Sequence, residues 1–223
     1  MAEQIGLSLP VHASSGIDDF LISDCNSMAL SLLEDWRNWP NFKHTLSGPA
    51  ASGKTHLGRI WAKQTDAFFL DAKTLKINDV DKIATTPLVI DNVSKMNAES
   101  ELEEALFHLH NLLQERRLPL LLIGTGSPQF WNISLSDLNS RIQGARNAQI
   151  NEIDEKLFSL LMAKLFADRQ LYPSPDVFEY LNRRIDRSFL SINVIVEKID
   201  QISIEEKRPI TRSLVSQILK NYK

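Results

Sequence analysis

Eight consecutive residues, Gly48-Pro49-Ala50-Ala51-Ser52-Gly53-Lys54-Thr55, carry the most specific chemistry in this chain. They fit the pattern G-x-x-x-x-G-K-[ST]. Glycines let the backbone curl so that successive N–H groups point at phosphate oxygens. A helix starting at the lysine offers its N-terminus to the same anion. In that geometry Lys54 reaches the β- and γ-phosphates and the Thr55 hydroxyl binds Mg2+. The expected ligand is a nucleotide. The competing reading is a chance match in a surface turn, and the strand before the loop and the helix after it argue against that.

A phosphate loop needs a second oxygen donor for the metal, placed at the end of a neighbouring strand. Leu88-Val89-Ile90-Asp91 supplies one, with Asp91 where an apolar strand meets the crevice. The alternative for Asp91 is a turn or helix-capping aspartate. Asn92 follows. An amide orients a water molecule but cannot take its proton at neutral pH, so hydrolysis by this chain alone is expected to be slow.

The elements that must position these groups follow from the hydrophobic pattern. Met28, Leu32, Leu33 and Trp36 lie at helical spacing after Ser23-Asp24-Cys25-Asn26, and Trp39-Pro40 ends that helix. Phe42–Leu46, Ala67–Leu70, Pro87–Asp91 and Pro119–Thr125 read as strands. Lys54–Gln64 and Glu101–Glu115 read as helices. Strands alternating with such helices imply an α/β fold with a parallel sheet and crossover helices. From residue 151 the pattern becomes helical only: Glu155–Arg169, Ser174–Arg184, Ser188–Gln201 and Thr211–Leu219. The expected organisation is an extended leader over 1–16, an α/β core over 17–150 and an α-helical lid over 151–223.

The chain has 223 residues, 43% of them hydrophobic and 24% charged, with net charge −3. That composition supports a packed core and argues against a strongly basic nucleic-acid binder. A single cysteine, Cys25, excludes an internal disulfide and a cysteine zinc site. No run approaches the roughly 18 apolar residues of a membrane span, and the first residues lack a signal-peptide pattern, so a cytoplasmic location is expected. His108 and His110 are two apart and face different ways on a helix, which predicts surface or satisfied histidines. The four tryptophans, Trp36, Trp39, Trp61 and Trp131, read as core or hinge packing. The Arg183-Arg184…Arg187 cluster reads either as a partner or phosphate contact or as a solvated helix face.

Three segments together resemble a known family. Gly48–Leu57, with His56 after the Lys-Thr pair, Leu88–Asn92, and Ser140-Arg141-Ile142 are similar to the AAA+ module of the bacterial replication initiator DnaA. Asp18-Asp19-Phe20…Asn26 resembles the segment that packs near the adenine in that family. Glu103–Leu113, Lys164–Leu171 and Arg184–Phe189 look like the short Hda-type relatives of DnaA, in their alphaproteobacterial form. The initiator continues into a DNA-binding domain, whereas this chain ends soon after the lid, which fits the short relatives.

The resemblance implies an AAA+ P-loop core with a small all-α lid. It implies ADP or ATP with Mg2+, held by Gly48, Pro49, Ala50, Ala51, Ser52, Gly53, Lys54, Thr55 and His56, with Thr55 and Asp91 on the metal. Arg141 takes the place of the family's arginine finger, acting on a neighbour's nucleotide; its bland alternative is an exposed helix arginine. Gln4-Ile5-Gly6-Leu7-Ser8-Leu9 resembles a peptide that docks on the replicative sliding clamp, through Gln4, Leu7 and Leu9; the alternative is a tail or a strand on its own domain. Implied partners are DnaA, the DNA polymerase III sliding clamp and head-to-tail copies of the chain, with no sequence-specific DNA contact and no membrane.

Two positions depart from the family. Gly126 stands where a polar sensor 1 side chain is expected. Leu190 stands where the lid's sensor 2 arginine is expected; Arg187, about one helical turn away, is the nucleotide-binding candidate in its place and reaches the phosphates only if the lid helix is rotated. Two functions remain open at this point: a clamp-tethered activator of ATP hydrolysis by DnaA, or an autonomous AAA+ ATPase or DNA-associated loader.

Overall fold

The structure is a computed structural model, and it describes residues 20–220. The leader 1–16, including Gln4, Leu7 and Leu9, lies outside the described residues, as do Asp18 and Asp19.

Helix α1 spans Ser27–Glu34 and is followed by two short 3-10 turns through Phe42. Strand β1 is Lys43–Ser47, α2 is Lys54–Thr65 and β2 is Phe68–Asp71. A single turn of helix, α3, covers Val80–Ile83. Then come β3 (Leu88–Asp91), α4 (Ser100–Glu115), β4 (Leu120–Ile123), α5 (Ser136–Gly144) and β5 (Arg146–Gln149). Every element after Gln149 is helical: α6 (Glu155–Asp168), α7 (Pro175–Arg184), α8 (Phe189–Glu206) and α9 (Arg212–Lys220).

The strands form one five-stranded sheet in the order β2-β3-β4-β1-β5. Every pairing is parallel. A parallel sheet is covered on both faces, so its strands are apolar on both sides, and alternate side chains divide between two cores. Val89, Leu121 and Ile123 join α1, α2 and the helices after residue 150 in one cluster. Leu88, Ile90, Leu120 and Leu122 join α3, α4, α5 and Trp131 in the other. Trp39 and Trp61 stack at 5.0 Å in the first cluster, as core packing requires.

Three departures from the sequence reading have clear causes. Strand β1 is predominantly polar rather than apolar, yet all five residues are buried because it lies between β4 and β5. In α1 the inward face is Ala29, Leu30 and Leu33, while Met28 is 67% exposed. Strand β5 was not expected at all: Arg-Asn-Ala-Gln buries only Ala148, so it carries no apolar alternation. Its backbone pairing with β1 makes it a strand regardless.

Side chains cap the starts of α6 and α8. The Asp154 carboxylate accepts from Leu157 N at 2.8 Å at the start of α6, and Ser188 Oγ accepts from Ser191 N at the start of α8. Helix α8 continues to Glu206, five residues beyond Gln201, and stops where Lys207 turns left-handed at φ 51°.

Helix α5 is anchored by a buried carboxylate. Glu103 on α4, 1% exposed, accepts from Ser134 N at 2.9 Å and from Leu135 N at 2.7 Å, just ahead of the helix. Glu103→Ala leaves both backbone donors without their charged acceptor. It is expected to cost about 3 kcal/mol and to lower Tm by roughly 6–12 °C in thermal unfolding. An unchanged Tm would show that the anchor is dispensable.

No described helix is long and apolar enough to cross a membrane.

Candidate nucleotide site

The end of β1 feeds directly into the loop that starts at Gly48. Gly48 has φ 152°, and a Cβ there would lie 2.7 Å from Ile150 O. Only glycine fits between this turn and the strand beside it. Ala51 and Gly53 are also left-handed, at φ 60° and 85°, the alternating backbone from which anion-binding nests are made. Helix α2 then begins at Lys54, and its first N–H groups have no partner within the helix.

Lys54 is only 7% exposed. Its Nζ donates to Gly48 O at 3.0 Å, to Pro49 O, and to Ser52 Oγ at 3.3 Å. An ammonium has three donors, and here all three are committed to the loop that holds it. A phosphate entering this loop must exchange with those acceptors. Burial lowers the Lys54 pKa to about 8; nearby Asp91 opposes that shift and Lys95 adds to it.

Thr55 and Asp91 meet as the motif requires. Thr55 Oγ1 donates to Asp91 Oδ2 at 2.7 Å, and Asp91 Oδ1 accepts from Asn92 N at 2.7 Å. These oxygen donors fit a hard divalent cation. Mg2+ is held by one or two carboxylates plus phosphates and water. Among the described residues no group of three or more His, Cys, Asp or Glu could hold a metal alone.

Asn92 is held by the neighbouring strand. It sits at φ 60° and its Nδ2 donates to Asp71 Oδ2 at 2.6 Å. Asp71 ends β2 and is the register partner of Asp91, so a second carboxylate stands at the same edge of the sheet. Asp71 was not among the candidates read from sequence, although Phe68-Phe69-Leu70-Asp71 repeats the pattern of an apolar run closed by an acid.

The loop after β4 is tied to the phosphate loop. Gly126 N donates to Gly48 O at 3.0 Å, and Thr125 N donates to Ser94 Oγ at 2.9 Å. Gly126 has φ 72°, with nothing within 4 Å of a Cβ built on it. Asparagine tolerates that backbone and has room. If the missing side chain limits hydrolysis, Gly126→Asn will raise basal phosphate release about tenfold or more. No gain in a phosphate-release assay would show that another absence is limiting.

His56 stacks on Phe20 with ring centroids 6.2 Å apart, and Phe20 lies 3.2 Å from a Cβ position on Gly53. The segment before α1 therefore covers the start of α2.

The remaining candidates lie elsewhere. Arg141 is exposed on α5, its guanidinium 5.1 Å from the Phe107 ring centroid. It lines a cavity with Lys43, the first residue of β1, whereas the phosphate loop follows the last residue of that strand. Four residue steps at about 3.3 Å each separate the two strand ends by roughly 13 Å. Arg187 is bound to Glu155 at 3.3 Å on the surface of the helical part, and Leu190 is 51% exposed. Arg183 faces Glu179 at 4.0 Å. His108 is exposed as expected, but His110 is not satisfied: it is buried, and its Nδ1 has no hydrogen-bond partner. The cause is its place on the inward face of α4, beside β1.

With this geometry in hand, likeness to solved structures is informative. The chain superposes on domain III of the Thermotoga maritima replication initiation protein DnaA with TM-score 0.78 and 16% identity, over 96% of this chain and 98% of that one. DnaA from Aquifex aeolicus, bound to AMPPCP, gives TM-score 0.68 and 17% identity over 87% of this chain and 68% of that one. The RuvB Holliday junction branch migration motor of Thermotoga maritima gives 0.67 and 21% over 93% and 72%. No family model matches the chain. At these identities the likeness is one of fold. The class is therefore clear: an α/β AAA+ P-loop fold with a five-stranded parallel sheet followed by helices. Within that class the fold is the one seen in DnaA domain III.

Proposed function

We propose that this chain is a nucleotide-binding regulator of chromosome replication of the Hda type. It uses Arg141 to stimulate ATP hydrolysis by DnaA while Gln4, Leu7 and Leu9 dock on the sliding clamp. The observation that carries the reading is the separation of Arg141 from its own phosphate loop, at opposite ends of β1. A guanidinium so placed cannot reach the phosphates bound by its own chain. Its phosphates must belong to another molecule, as head-to-tail AAA+ pairing would provide.

The chain's own site would hold ADP or ATP on the 48–55 loop and Lys54, with His56 nearby. Thr55 and Asp91 would ligate Mg2+, which when bound neutralises phosphate charge. Asn92, committed to Asp71, and Gly126, without a side chain, supply neither a base nor a phosphate contact. The nucleotide then acts chiefly as a conformational ligand.

The test is reconstitution. The nucleotide bound to purified DnaA is followed with this protein, DNA-loaded clamp, or both. Conversion of ATP to ADP that needs both, and that fails with Gln4→Ala, supports the reading. No stimulation in any combination refutes it.

A second reading rests on Asp71. Its carboxylate, next to Asn92 at the strand edge, could serve as the base of an autonomous ATPase or DNA-associated loader. Substantial basal turnover that Asp71→Asn removes would favour that reading.

A further inference from the structure

A second polar cavity lies at the end of the sheet away from the phosphate loop. It has a volume of about 190 Å³ and is lined by Lys43 of β1, His110 and Gln114 of α4, Arg141 of α5, and Asn41. At about 30 Å³ per water, it has room for a small solvated ion. Lys43 and His110 are each only 4% exposed. Lys43 Nζ and His110 Nδ1 are buried and have no hydrogen-bond partner among the described residues. Arg141 adds a guanidinium, and among the described residues no Asp or Glu lines the cavity.

Such a cluster is costly as mere packing. A buried ammonium without a partner is disfavoured, and buried polar groups are nearly always hydrogen-bonded. Burial lowers the Lys43 pKa to about 8, so at neutral pH the side chain is still mainly charged. Burial lowers His110 to about 4, with the charges of Lys43 and Arg141 pushing the same way. An anion would relieve the whole group. The amides of Asn41 and Gln114 add neutral donors, which suit a polyatomic oxyanion with several acceptor oxygens.

We propose that this cavity is an oxyanion site, holding a phosphate-class anion on Lys43, His110 and Arg141. The site is separate from the nucleotide loop and does not depend on Arg141 acting on a neighbour's nucleotide. The anion could be free phosphate or the terminal phosphate of a nucleotide.

The test uses the full chain carrying Lys54→Ala, which disables the nucleotide loop. Thermal unfolding and the His110 imidazole NMR resonances are followed as inorganic phosphate or ATP is added, with chloride at matched ionic strength as control. Phosphate is expected to raise Tm by several degrees, saturably, and to shift the His110 resonances. Lys43→Met, added to the same chain, abolishes both responses. His110→Gln provides the same comparison if the Lys43 variant does not fold. A larger response to ATP than to phosphate assigns the site to a nucleotide's terminal phosphate; an equal or smaller one assigns it to free phosphate. No saturable response beyond chloride to either probe overturns the proposal, as does an undiminished response after Lys43→Met. The DnaA reconstitution is read separately, so either idea can fail alone.

Discussion

Lys54→Met weakens nucleotide binding by roughly 30- to 1,000-fold, the equivalent of about 2–4 kcal/mol for removing one member of a buried charge-assisted contact. Titration with a fluorescent adenine nucleotide measures it. The expectation follows from burial and wiring. The ammonium is enclosed by Gly48, Pro49 and Ser52, so it already sits where phosphate oxygens would replace those acceptors. Methionine keeps the stem and removes the charge, which separates charge from packing.

The same residue sets a pH dependence. The free site has its Lys54 pKa lowered to about 8 by burial, and the binding-competent form is protonated. Affinity should be flat below pH 8 and fall about tenfold per pH unit above it, until the pKa of the complex is reached. For stability the sign is opposite. A lysine whose folded pKa lies below its unfolded value binds fewer protons when folded, so between about pH 8 and 10.5 it makes the protein more stable as pH rises. Affinity that is unchanged in Lys54→Met, or flat to pH 10, would show that the loop does not use this charge.

Arg141→Ala is expected to remove the stimulation of DnaA hydrolysis by about 10³-fold or more, the range an arginine finger supplies in other P-loop systems. Single-turnover conversion of DnaA-bound ATP measures it. Arg141→Lys restores little, because an ammonium cannot reproduce the planar fork of a guanidinium. The affinity of this chain for its own nucleotide should change by no more than about twofold, since the two sites lie at opposite ends of β1. A large loss of own-nucleotide affinity would mean that Arg141 serves its own site. Retained stimulation would remove it from the reaction.

The phosphate loop was legible in the sequence because its chemistry admits few residue types. Gly48 has no room for a Cβ, Lys54 turns back onto the loop and Thr55 meets Asp91 across the strand ends. Strands β3 and β4 were legible because a strand covered on both faces favours an unbroken apolar run, as in Leu88–Ile90 and Leu120–Ile123. Strand β5 was not legible, because an edge strand with one buried side chain is defined by backbone pairing that no pattern records. The basic cavity was also hidden. Lys43 and His110 are 67 positions apart in sequence, and only the folded chain brings both to one cavity. Asp71 shows a third case: its run of apolar residues closed by an acid was visible, but its contact with Asn92 depends on strand order.

One feature of the core has consequences for how the molecule responds to ligand. The helices beyond residue 150 share a single apolar cluster with α1, α2 and one face of the sheet. Their interior is continuous with that of the sheet. Heat or denaturant should therefore unfold the chain in one step. A nucleotide captured by the loop at the head of α2 should move that step as a whole, protecting amides of α8 and α9 from hydrogen exchange at a distance from the phosphates. Occupancy of the loop is then legible throughout the fold.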